Sequence, residues 1–188
     1  MRAMLIGCLV LSACGGAAGG PAASVSIPSA WAVHDAAGLR IATPASWGAP
    51  DVLPATDATG GPRAWIVFRD PSGAEAVTLM TWRDAVASAV AAAQYGSGIP
   101  QGERRDLTLS DAGRTRAAIA VTAYARWSDA NGAGTYECRH VYVQVDPRLV
   151  VDVIACGAHV KGNATPLPEL VRAQDLVALR LGVAGGAP

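Results

Sequence analysis

The chain has 188 residues, 51% of them hydrophobic, and its 15 Lys and Arg balance its 15 Asp and Glu for a formal charge of zero. The charges are scattered rather than blocked, so the basic stripe that releases counterions from nucleic acid is missing, which sets DNA and RNA aside as partners. Once a leader is removed, roughly 150 residues remain, the size of one domain with one core; with Phe68 the sole phenylalanine, Val, Leu, Ile and the five tryptophans must fill it.

Met1-Arg2-Ala3 is a short positive start, and the segment from Met4 to Ala13 (MLIGCLVLSA) is an apolar run of signal-peptide length. A spanning helix needs about twenty apolar residues, and Gly15, Gly16, Gly19, Gly20 and Pro21 follow at once, so the run reads as an export signal over residues 1–13. Its end, Leu11-Ser12-Ala13-Cys14, resembles the bacterial lipobox, in which small residues before a cysteine let the thiol be acylated and the leader be cut away in front of it. The resemblance implies that Cys14 becomes the lipidated first residue. The alternative is an ordinary secretory leader cut after Ala13 or beyond. Leu5-Ile6-Gly7-Cys8 fails as a rival lipobox because almost no apolar segment precedes it.

Each buried methylene contributes about 0.8 kcal/mol to membrane attachment, and one acyl chain alone holds only marginally. Bacterial lipoproteins carry two or three. Residues 15–30 (GGAAGGPAASVSIPSA) have too little apolar side chain to order themselves and read as a flexible tether with a reach of roughly 20–25 Å. Gly15 rather than Asp after the cysteine favours, by the same resemblance, the outer membrane where two membranes exist. Localisation is therefore expected to be exported and lipid-anchored to the cell membrane or outer membrane, with the domain in the periplasm or at the cell surface.

A single domain is expected over residues 31–182, with a disordered tail at 183–188. Runs bounded by Gly, Pro and Asp at Leu39 to Thr43, Ala64 to Arg69, Val77 to Trp82 and Ala117 to Trp127 predict strands. Asp84 can cap a helix from Ala85 to Tyr95 that Gly96 ends, and residues 48–63 and 96–106 read as loops. Tyr136 to Val145 and Leu149 to Cys156 predict an antiparallel hairpin around Asp146-Pro147-Arg148. If those three residues are the loop, Val145 opposes Leu149 and Cys138 directly opposes Cys156. Opposed Cα atoms lie about 4.5 to 5.5 Å apart, within disulfide reach, and export allows the bridge to persist. A loop of two or four residues would turn the two sulfurs to opposite faces. A metal set of Cys138, His140, Cys156 and His159 can be written as a rival, although its spacing matches no familiar zinc site.

The same register sorts the faces. Val141, Val143 and Val145 against Val153, Val151 and Leu149 make an apolar face that must be buried. Cys138, His140, Tyr142 and Gln144 against Cys156, Ile154, Asp152 and Val150 make a mixed face, either wet or partly covered. Pro166 and Pro168 suit a first turn, and a closing helix from Leu170 to Leu181 follows before Gly182, burying Val171, Gln174, Val177 and Ala178 or their neighbours, with Thr165 as its cap. The order of elements argues an α+β fold, a largely antiparallel β-sheet flanked by helices. Gly38 to Trp47 (GLRIATPASW) resembles the opening segment of PsbP-like domains, which occur in lipoproteins of the LpqN type. The resemblance implies an α/β/α sandwich and a role in binding or assembly.

Chemistry is hard to find. His34 and Asp35 are adjacent on an extended segment and point to opposite faces. A Gly-x-Ser-x-Gly elbow and a phosphate loop are both missing from the sequence. Asn163-Ala164-Thr165 is formally a glycosylation sequon without weight in a bacterial setting. Trp31, Trp47, Trp65, Trp82 and Trp127 could line a groove but serve first as core filler. His140, Tyr142 and Asp152 cluster on the mixed face and are the candidate binding patch. The expectation is a membrane-anchored, non-enzymatic binding or assembly module of the envelope, without cofactor or metal, engaging an envelope protein or small ligand. The alternatives are an envelope hydrolase with a site assembled from distant loops, and a purely structural lipoprotein.

Overall fold

The computed structural model describes residues 30–54, 64–83, 104–129, 132–157 and 162–185. Within them lie the strands β1 (Trp31–Ala36), β2 (Leu39–Pro44), β3 (Asp51–Pro54), β4 (Ala64–Arg69), β5 (Glu75–Arg83), β6 (Arg104–Asp111), β7 (Arg114–Asp129), β8 (Gly132–Asp146), β9 (Leu149–Cys156), β10 (Gly162–Ala164) and β11 (Gly182–Val183). The helix α1 spans Pro168–Arg180. An antiparallel sheet in the order β3-β4-β5-β9-β8-β7-β6 forms the body, with β10 alongside β8 in parallel; a second sheet has the order β1-β2-β11. Antiparallel sheet with one helix is thus the architecture among the described residues. The expected helix at 85–95, His159, Cys14, the leader and the tether lie outside them.

The core lies on the helix side of the large sheet. Ile66, Phe68, Val77, Leu79, Val141, Val143, Val151 and Val153 of the large sheet share one buried cluster with Leu170, Ala173, Val177 and Ala178 of α1 and with Leu39 and Ile41 of the small sheet. Buried positions 170, 173, 174, 177 and 178 step at three and four residues, the spacing of a helical stripe, with Leu179 buried beside it and Leu181 buried at the C-cap. Gln174 is the polar member of that stripe and is fully buried. Its Nε2 donates to the carbonyls of Arg139 and Val153, each at 2.7 Å, and its Oε1 accepts from Arg139 Nη1 at 2.7 Å. The same guanidinium reaches Asp175 Oδ1 at 2.7 Å. One amide therefore locks α1 to β8 and β9.

Both ends of α1 differ from expectation. Leu167, not Thr165, is the N-cap residue, and it makes no side-chain cap; Pro168 opens the helix, where a missing N–H costs nothing. The C-terminal carbonyls are satisfied from outside, because Arg116 donates to Ala178 O at 2.8 Å and to Leu181 O at 2.7 Å. Gly182 enters β11, where it pairs with Arg40, and Val183, placed in the tail by sequence, pairs with Leu39.

The hairpin of β8 and β9 keeps its expected register by an unexpected route. Cys138 opposes Cys156, and the pairing runs unbroken to Gln144 opposite Val150. Asp146, however, opposes Leu149, so the turn is the two residues Pro147 and Arg148, and a bulge at Val145 supplies the missing offset. The loop is shorter than predicted, and the extra residue sits in the ladder instead.

Several strands were not anticipated. β1 and β2 join through Ala37 and Gly38, with φ of 50° and 77°, and β6 and β7 through Ala112 and Gly113, with φ of 47° and 82°. Two successive positive φ values in a two-residue connection make a type I′ turn, whose twist matches that of the flanking strands. β3 and part of β6 occupy segments read as loops.

Candidate functional site

Directly opposed residues of antiparallel strands share a face, so one line of side chains crosses the sheet opposite α1: Leu53, Trp65, Met80, Asp152, Tyr142, Ile119 and Asp106. Exposure changes along it. Leu53 and Trp65 are 43% and 40% exposed at the β3 edge, whereas Asp152 and Tyr142 are 0% and 2% exposed in the middle. The next line carries His140 opposite Ile154, and the one beyond it carries the cysteines.

The register brings His140, Tyr142 and Asp152 together as expected, but the face around them is neither wet nor open. His140 Nδ1 lies 2.9 Å from Asp152 Oδ2. A carboxylate only accepts, so Nδ1 donates. The imidazole stacks on the Tyr142 ring, with centroids 6.1 Å apart and planes 13° from parallel. Burial opposes charge on His140, but the Asp152 carboxylate and its hydrogen bond outweigh that and hold the imidazole above its ordinary value. Burial, reinforced by the same carboxylate, pushes the Tyr142 phenol well above its usual range. Asp152 Oδ1 is buried without a hydrogen-bond partner. The three form a largely buried polar cluster, in which the His140 side chain keeps 11% exposure.

Cys138 and Cys156 form the expected disulfide, with Cα atoms 4.0 Å apart. Both sulfurs are thereby used, which removes the thiolates that the zinc set of Cys138, His140, Cys156 and His159 requires. Among the described residues, three or more His, Cys, Asp or Glu nowhere gather as a metal site, and no helix is long and apolar enough to cross a membrane. His34 stacks edge-on against Phe68 at 5.3 Å, while Asp35 is exposed, so the adjacent pair does point apart. Trp47 packs in the core beside Phe68, and Trp31 lies under the Arg180 guanidinium at 4.1 Å. Trp65 stands exposed beside Leu53 rather than filling the core, while the side chains of Trp82 and Trp127 lie outside the described residues. Alternation along β4 could have shown the place of Trp65: Ile66 and Phe68 are buried in the core cluster, which leaves Trp65 on the other side.

No model of a known protein family matches this chain, and no curated protein matches it.

Proposed function

We propose that the chain is an exported lipoprotein of a bacterial cell envelope, held at a membrane by lipid on Cys14, whose sheet domain works as a non-enzymatic binding or assembly module. The Cys138–Cys156 bridge carries the reading, because a disulfide between paired strands belongs to an oxidising compartment. The lipobox-like Leu11 to Cys14 supplies the anchor. For the binding role, the support is the aromatic and aliphatic pair Trp65 and Leu53, opposed and exposed on the edge strands β3 and β4. An exposed apolar pair of this kind suits contact with a protein better than turnover of a small substrate. The PsbP-like resemblance of residues 38–47 agrees with such a role.

The test is expression in a bacterial host that processes lipoproteins, followed by mass spectrometry of the mature terminus and detergent phase partition. Wild type should carry an acylated Cys14 and enter the detergent phase, and Cys14→Ser should stay in the aqueous phase. A Cys14→Ser chain that still partitions with detergent refutes the anchor.

A further inference from the structure

The Cys138–Cys156 bridge is poorly placed to hold the fold. β8 and β9 are already paired from Cys138 to Gln144, β8 is flanked by β7, and β9 by β5. Beyond Cys156, Gly157 N donates to Glu137 O at 2.8 Å, so the backbone is pinned on both sides of the sulfur. Breaking the S–S bond therefore needs no strand separation, and the two thiols would stay opposed and able to re-form it. The two sulfurs also differ. Cys138 is buried at 8% exposure beneath the ladder with Ala123, whereas Cys156 ends its strand and is partly exposed. The side chain next to Cys138 on the same face is His140, about 7 Å away at Cα by strand geometry, held by Asp152.

We propose that Cys138–Cys156 is a thiol-exchange site: a thiolate from solvent attacks Sγ of Cys156, and Cys138 departs as a thiolate on the strand face it shares with His140. A bond forms between the incoming sulfur and Cys156 as the Cys156–Cys138 bond breaks, and its electron pair leaves on Cys138. A second thiol of the substrate then attacks the mixed disulfide and releases Cys156. The protein ends as a dithiol and the substrate as a disulfide, two electrons having passed between them. Protonation of the His140 imidazole, which the Asp152 carboxylate favours, stabilises the leaving thiolate, and exchange is faster the more stable that thiolate is. The substrate class is a small dithiol or an exposed protein dithiol. This inference goes beyond the proposed function and stands whether or not Cys14 is acylated.

The test treats the folded, oxidised full-length chain with reduced glutathione, quenches with acid, and locates the adduct by mass spectrometry. Glutathione should appear on Cys156 and not on Cys138, without denaturant. His140→Gln should slow the reaction by about three- to tenfold, because the leaving thiolate loses a stabilising neighbour, with the adduct still on Cys156. A substitution that merely loosened the strands would expose the bridge and speed its reduction, so the direction of the change separates the two causes. A bridge that resists glutathione until the chain is denatured, or adducts shared equally between the cysteines, overturns the proposal. A His140→Gln rate equal to or above wild type overturns the part given to His140.

Discussion

Replacing Gln174 with Leu keeps the apolar stripe of α1 continuous and removes the one amide that ties it to the sheet. Three hydrogen bonds at 2.7 Å disappear. At about 1 kcal/mol for each neutral bond and about 2 kcal/mol for the one donated by a guanidinium, the loss is about 4 kcal/mol. The new methyl groups recover about 1 kcal/mol by burial, which leaves a net destabilisation of about 3 kcal/mol. For a domain of this size that lowers Tm by roughly 6–12 °C. Thermal and urea unfolding, followed by circular dichroism with the disulfide intact, measure it. Asp175→Asn is the control, since its carboxylate is one-third exposed and should cost under about 1 kcal/mol. A Gln174→Leu protein as stable as wild type would show that the apolar stripe alone docks α1 and that the amide contributes nothing net.

Arg116→Met removes two donors from the carbonyls that close α1 and should lower stability by about 1–2 kcal/mol in urea titration. Ala37→Asn and Ala112→Asn place a residue that tolerates positive φ at the first position of each type I′ turn; each should raise the urea midpoint by the equivalent of about 0.5–1 kcal/mol. His140 gains a partner on folding and its proton affinity rises, so its contribution is complete below its unfolded pKa of about 6.5 and fades as pH climbs through the higher folded value. The urea midpoint should therefore fall from near-neutral to alkaline pH in wild type and lose that part of its slope in His140→Gln; equal slopes in the two proteins refute the assignment.

Where hydrophobic pattern and turn chemistry agreed, the fold was legible. β4 and β9 follow apolar runs bounded by turn residues, and their limits match the expectation. Fold class was legible only in part, since the antiparallel sheet and its closing helix are present while the other flanking helix falls outside the described residues. β1 and β6 were missed because the turns that create them are Ala-Gly. Asn-Gly or Asp-Gly advertises a type I′ turn, but alanine at φ near 50° pays a steric cost that local preference argues against. The pairing of Cys138 with Cys156 came from a three-residue loop that does not exist; the parity was right because a bulge restores what the shorter turn removes. Sequence spacing was enough to place His140, Tyr142 and Asp152 together, since register alone decides which residues share a face. Their burial was not legible, because what shields a sheet face comes from distant parts of the chain.

Trp31 has a mechanical consequence. Under the anchor proposed above, a pull directed from Cys14 would load Trp31, the first strand residue among those described. The carbonyl just before it, on Ala30, accepts from Ala45 N at 3.1 Å, and its indole lies under Arg180, which also grips Asp111 at 2.8 Å. A load on Trp31 is thus shared at once among the small sheet, the far end of the helix and the rim of the large sheet, instead of peeling away a single strand.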